Sequence, residues 1–121
     1  MTTLHLPYPP SVNRIWRNVG PRTLKSKVYR DWLAEGWAMV KAQAPKPVLG
    51  RYCLNVVAFR PDRRDRDLDN IIKPISDLLT ACGVIEDDHM ADRINIEWSD
   101  TEPSKGAGVV VRVSASRGDN G

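Results

Sequence analysis

The apolar positions change their spacing along this chain, and each change predicts an element. Thr2 to Leu6 alternates weakly and predicts a short strand. Pro7-Tyr8-Pro9-Pro10 ends it with an extended exit, because proline fixes φ and restricts the residue before it. From Val28 to about Gln43, Tyr29, Trp32, Leu33, Trp37, Val40 and Ala44 fall on one helical face, with Arg30, Glu35 and Lys41 outside. This reads as a packing helix with no chemistry of its own, weakened by Gly36 at a cost of ~1 kcal/mol relative to Ala and closed by Pro45-Lys46-Pro47. Tyr52 to Phe59 alternates again, as a strand does. Ile71, Ile72, Ile75, Leu78, Leu79 and Cys82 then form a second helical face, and Gly83 stands where a left-handed cap would end it. Proline is tolerated only in a helix's first turn, so Pro74 places the start of regular helix near Lys73, after a looser turn over residues 69–72. Ile94 to Trp98 and Val109 to Val113 read as strands joined by a turn with Pro103 and Gly106, and are expected to pair as a hairpin. Asn18 to Lys27 lacks apolar periodicity and reads as a loop, and Arg117 to Gly121 as a disordered tail.

A chain of 121 residues fits one α/β (α+β) domain with a sheet of about four strands and two main helices. No apolar run is long enough to span a membrane, and no charged start followed by an apolar run suggests secretion. Cys53 and Cys82 have no metal-binding spacing and are expected to be reduced and buried in a cytoplasmic protein. The net charge of +3 hides an asymmetry: residues 1–66 carry 13 Lys+Arg against 4 Asp+Glu, and residues 67–121 carry 5 against 11. A basic half can hold a polyanion while an acidic half holds a cation, although scattered charge on solvated faces would give the same count.

The chemistry concentrates in Arg66-Asp67-Leu68-Asp69-Asn70-Ile71-Ile72-Lys73. If the backbone is extended there, Asp67 and Asp69 leave on one face, where they repel unless a cation lies between them. Mg²⁺ suits such a pair, since it takes one or two carboxylates and keeps water. On the following helix Asp69, Lys73 and Asp77 share a stripe at intervals of four. Beyond Gly83, the cluster Glu86-Asp87-Asp88 could return to the same end of the helix. Simpler readings exist. Asp69 or Asn70 could be only a helix N-cap. A calcium loop starting at Asp65 fails, because it would need Gly at Asn70 and Glu at Ser76.

The constellation D-x-D-N-x-x-K-x-x-x-D-x-L followed by G-V-x-x-D-D, with Leu6-Pro7-Tyr8-Pro9-Pro10-Ser11-Val12-Asn13 upstream, resembles the RusA family of Holliday-junction resolvases. The resemblance implies one RusA-like endonuclease domain over residues 1–116, working as a homodimer. It implies that Asp67, Asp69 and Asp88 are catalytic, metal-binding carboxylates and that Lys73 is needed for cleavage. The expected activity is a Mg²⁺-dependent (or Mn²⁺-dependent) endodeoxyribonuclease cutting four-way or branched DNA in recombination and repair, with no small-molecule cofactor. Asp77 is expected to orient Lys73 from the next turn. A non-catalytic branched-DNA-binding module with a structural metal site is the competing reading.

The basic residues Arg14, Arg17, Arg22, Lys25, Lys27, Arg63, Arg64 and Arg66 are candidates for phosphate contact. Trp16 could stack on an unpaired base but reads better as core. His89 reads as a surface histidine rather than a ligand. Trp98 and the last strand offer apolar surface for a dimer interface.

Overall fold

The computed structural model describes residues 1–116, the side chain of Val12 excepted. Its elements are β1 (Thr2–Pro7), β2 (Trp16–Val19), β3 (Arg22–Lys25), α1 (Lys27–Gln43), β4 (Tyr52–Ala58), α2 (Ile72–Ala81), β5 (Ala91–Trp98) and β6 (Gly108–Ala115). Short 3-10 turns lie at Val12–Arg14, Leu68–Ile71 and Asp88–Met90. The fold is the expected α+β domain, a mixed four-stranded sheet with two principal helices. The tail expected at residues 117–121 lies outside the described residues. Among the described residues no helix is long and apolar enough to cross a membrane.

Strand alternation decides which face is covered. Tyr52, Leu54, Val56 and Ala58 of β4 are buried, and the last three stand opposite Val113, Val111 and Val109 of β6. With Leu4 and Leu6 of β1 they join Tyr29, Trp32 and Val40 of α1 and Ile75, Leu78 and Leu79 of α2 in one core. Each fully buried Val, Leu or Ile among them is worth roughly 1.5–3 kcal/mol. Cys53 and Val57 point to the other face and are only half-buried, and both cysteines are free thiols.

The sheet order is β1-β6-β4-β5, which overturns the expected hairpin of the last two strands. β5 runs parallel to β4, while β6 lies antiparallel on β4's other side. A strand that returns through a helix comes back parallel to the one it left. With β5 on one edge of β4, the closing strand has to take the other. The link crosses the end of β4, where Ser99 donates to the Ala58 carbonyl at 2.8 Å and Phe59 to that of Gly108 at 3.0 Å.

Three local expectations are corrected. The segment read as a loop is the hairpin β2–β3, with Trp16 opposite Lys25 and Val19 opposite Arg22, turning through Gly20 at φ +58°. All its residues are exposed, so no burial pattern marked it as strand. Trp16 is not core: it is 47% exposed and meets Tyr29 edge-on, ring centres 6.3 Å apart. Trp37 is likewise 48% exposed under the Lys41 ammonium, while Gly36 takes the buried position beside it. A β-carbon on Gly36 would stand 2.6 Å from Leu78 Cδ2, so this glycine lets α1 approach α2.

The start and stop of α2 follow the expectation closely. A 3-10 turn precedes regular helix, Pro74 sits in the first helical turn, and Gly83 follows the helix at φ +74°. Val84 then donates back to the Leu79 carbonyl at 2.9 Å, turning the chain toward the second acidic cluster.

Candidate active site

The 3-10 turn Leu68–Ile71 lies against both β5 and the Val12–Arg14 turn, and the Asp88–Met90 turn lies against α2. The first contact sets Asp67 in one cleft with Arg14, and the second sets Asp88 beside Lys73. Asp67 is extended, at φ −79° and ψ 116°, but Asp69 already belongs to the 3-10 turn. The premise that both leave one extended strand on a common face therefore holds only for Asp67. The capping alternative also fails. Asp67 is the residue before the turn, yet its side chain makes no capping bond, and neither Asp69 nor Asn70 caps α2, whose N-cap is Ile71. The Asp67 carboxylate accepts a long bond from Asn70 Nδ2 at 3.5 Å, and Asp69 has no ion pair among the described residues. Both are exposed.

Lys73 is the best-anchored member. Its ammonium lies 3.0 Å from Asp77 Oδ1 and 3.3 Å from Asp88 Oδ2, so it bridges α2 to the second acidic cluster. The bond to Asp77, then the one to Asp88, raises the lysine's pKa and keeps it charged. The i,i+4 partner is thus Asp77 and not Asp69. Asp77 is itself fixed on its other oxygen by the Tyr29 hydroxyl at 2.6 Å.

Asp87 and Asp88 adjoin each other but take different principal partners. Asp87 caps the Asp88–Met90 turn, accepting from the His89 backbone N–H at 3.0 Å and standing 2.8 Å from His89 Nδ1. The backbone bond first, then the imidazole, draws its pKa down to about 2. His89 is exposed and engaged with Asp87. Asp88 faces Lys73 instead, and Tyr52, buried, reaches the Asp88 carbonyl at 3.4 Å.

The arginines divide into groups. Arg14, Arg64 and Arg66 line one cleft of about 460 Å³ with Asp67, Asn70, Tyr8 and Trp32. Arg66 is held by Asp62 through two bonds, of 3.1 and 2.7 Å, and lies 5.7 Å from the Tyr8 ring. Arg64 sits 3.4 Å from Asp62, whose pKa the Arg66 bond pulls down to about 2. Arg63 turns away to Glu102 at 3.2 Å. Arg17, Arg22 and Lys25 stand on the hairpin without an ion pair among the described residues, whereas Lys27 is tied to Asp31 at 2.6 Å.

Two aromatic supports were not foreseen. Tyr8 and Trp98 stack with ring centres 6.3 Å apart, and Arg60 lies 4.3 Å over Trp98. Trp98 thus lies, partly buried, between Tyr8 and Arg60. Only the strand register, with Ala58 opposite Trp98, could have placed it next to Arg60. Tyr29, a core residue by its helical position, is the other, because its hydroxyl reaches Asp77 from a different helix.

Among the described residues no three His, Cys, Asp or Glu side chains close into a metal cage. The donor chemistry nevertheless fits a hard divalent ion. Asp67, Asp69 and Asp88 are exposed oxygen donors, and Mg²⁺ completes its shell with water and substrate phosphate rather than an all-protein cage.

Comparison with known proteins bears on what this arrangement does. The family model described as "Endodeoxyribonuclease RusA" matches residues 7–114. A crossover junction endodeoxyribonuclease of Enterobacteria phage HK97 is 37% identical over 94 residues, spanning 75% of this chain and 77% of the relative. One from Enterobacteria phage 82 is 38% identical over 95 residues, 73% of this chain and 76% of the relative. The protein of that name from Escherichia coli K12 is 37% identical over 91 residues, 71% of this chain and 72% of its own. The matched span 7–114 contains Asp67, Asp69, Lys73, Asp88 and most of the sheet, and the chain belongs to the RusA family of endodeoxyribonucleases, enzymes that hydrolyse phosphodiester bonds within DNA.

Proposed function

We propose that the protein resolves four-way DNA junctions by paired, Mg²⁺-dependent cleavage, as a cytoplasmic homodimer acting in recombination and repair. The observation that carries this reading is the Lys73 ammonium bridging Asp77 and Asp88, on the helix that begins just after Asp67 and Asp69, in a chain whose relatives are named crossover junction endodeoxyribonucleases. Asp67, Asp69 and Asp88 hold the divalent ion, with Mn²⁺ an acceptable substitute. When bound, that ion supplies an activated water and stabilises charge on the scissile phosphate. Lys73 presents a fixed cation to the phosphate as negative charge develops. Arg14, Arg64 and Arg66 bind backbone along the cleft beside Asp67, and Arg17, Arg22 and Lys25 extend the basic surface along the hairpin.

Cleavage of a labelled four-way junction with and without Mg²⁺, beside duplex and forked DNA, tests the reading. Symmetric paired cuts on the junction that need Mg²⁺ or Mn²⁺ are expected. Tight junction binding with no cutting in either metal would leave the competing reading, a branched-DNA-binding module with a structural metal site. A faster reaction on forks or flaps would move the substrate class.

A further inference from the structure

We propose that Tyr29 is a positioning residue for cleavage, locking Asp77 so that Lys73 keeps one anchor for which a metal at Asp88 would not compete. This rests on the reading of Lys73 as the cation that faces the phosphate.

Lys73 has two partners with different fates. Asp88 would be shared with the metal in the proposed mechanism, and a bound ion would weaken its hold on the ammonium. Asp77 is then the remaining anchor, at 3.0 Å. An aspartate that can rotate is a poor anchor for a flexible, half-exposed lysine. Asp77 is prevented from rotating because the Tyr29 hydroxyl donates to its Oδ2 at 2.6 Å while Lys73 takes Oδ1. Each carboxylate oxygen therefore has one assigned partner.

Tyr29 is suited to this task. Its ring is fully buried, stacked near Trp32 at 6.4 Å and met edge-on by Trp16, so the hydroxyl has little freedom to move. Burial first, then the bond to Asp77, raises the hydroxyl's pKa, and it remains a proton donor throughout the working range. Its backbone is fixed too, since the Tyr29 N–H donates to the capping Ser26 Oγ at 3.1 Å. The sequence separation of 48 between Tyr29 and Asp77 means the contact exists only in the folded domain. A buried tyrosine needs a partner for its hydroxyl, but that need is met by any acceptor. Here the acceptor is the carboxylate that grips Lys73.

The test is a cycle of Tyr29→Phe, Asp77→Asn and the double variant, with Lys73→Ala as reference. Single-turnover cleavage at saturating protein is measured beside junction affinity in Ca²⁺ and melting temperature. Tyr29→Phe should slow cleavage roughly fivefold to tenfold, the worth of one hydrogen bond, with junction affinity unchanged. Asp77→Asn should slow it at least as much. The double variant should be no slower than Asp77→Asn, because the tyrosine acts through that carboxylate. Wild-type cleavage by Tyr29→Phe, or losses that multiply in the double variant, overturns the inference while leaving the role of Lys73 standing. Wild-type cleavage by Lys73→Ala overturns the lysine's role and this inference together. Should Tyr29→Phe melt early, Asp77→Asn, which keeps the tyrosine's packing, carries the test: cleavage at the wild-type rate overturns the proposal.

Discussion

The Lys73 ammonium lies 3.3 Å from Asp88 Oδ2, so a protein cation already sits beside a carboxylate proposed to hold the metal. The contact joins two segments that are 15 residues apart in sequence. Lys73→Ala should lower single-turnover cleavage about 100-fold or more, as removal of a preorganised charge does elsewhere. The Mg²⁺ concentration needed for half-maximal cleavage should not rise, since a competitor at Asp88 has been removed. A large increase in that concentration would mean that Lys73 supports the metal rather than the phosphate.

Neighbouring acids in the second cluster offer an internal control. Asp88 faces Lys73, while Asp87 is spent on the His89 backbone and imidazole. Asn at Asp67, Asp69 or Asp88 should reduce cleavage by about 100-fold or more and leave junction binding intact or tighter, because a charge repelling phosphate is gone. Asp87→Asn keeps a side-chain oxygen for the His89 N–H and should cut within a few-fold of wild type. Gel assays of all four variants decide it, and an essential Asp87 beside a dispensable Asp88 would reverse the assignment.

On the basic side, the structure narrows which charges are free. Lys27 is tied to Asp31, whereas Arg17, Arg22 and Lys25 project from the hairpin with no ion pair among the described residues. Replacing these three by Ala should flatten log K against log salt by about 0.9 for each phosphate no longer neutralised on duplex arms. Lys27→Ala should change the slope less than any one of them. A slope that stays the same in the triple variant would remove the hairpin from the interface.

How far the sequence could be read depended on the range of the interactions. The α2 boundaries were legible because Pro74 and Gly83 act through local backbone geometry. The Lys73–Asp77 contact was legible because the two residues stand one helical turn apart. What was missed depends on partners far away in sequence. Val109–Val113 looks like the hairpin mate of Ile94–Trp98 until β4 is known to stand between them. Trp37 looks like core and Gly36 like a flaw, yet the close approach of Leu78 puts the glycine inside. Tyr29 has no visible task beyond burial in the sequence, since Asp77 lies on the other helix.

Gly36 gives that point a measurable form. Alanine would gain roughly 0.5–1 kcal/mol of helix propensity, but its β-carbon would fall 2.6 Å from Leu78 Cδ2 in a packed core. Overpacking costs about 1–3 kcal/mol, so Gly36→Ala should be destabilised by about 1 kcal/mol or somewhat more, seen as a lower melting temperature. Pairing it with Leu78→Val, which withdraws the clashing methyl, should cost less than the sum of the two single changes. A more stable Gly36→Ala protein would show that α1 and α2 can separate freely.

The last prediction concerns the working unit. Resolution of a four-way junction requires two strands of like polarity to be cut at matching positions. One described domain with a single Lys73-centred cluster supplies one cutting site. In the proposed homodimer a second chain supplies the second site, and a closed two-fold interface would relate the two by the symmetry that an open junction itself has. Trp98 stays partly exposed beside Tyr8 and Arg60 and remains a candidate for that interface. Ile94 on the edge strand β5, 45% exposed, adds further apolar surface. Mixed dimers of wild-type and Asp69→Asn chains, purified through two different tags, should nick junctions on one strand and leave the paired cut unmade. Homodimers of wild-type chains should make both cuts within one binding event. A protein that remains monomeric by light scattering in the presence of junction DNA, yet still makes paired cuts, would exclude the dimer.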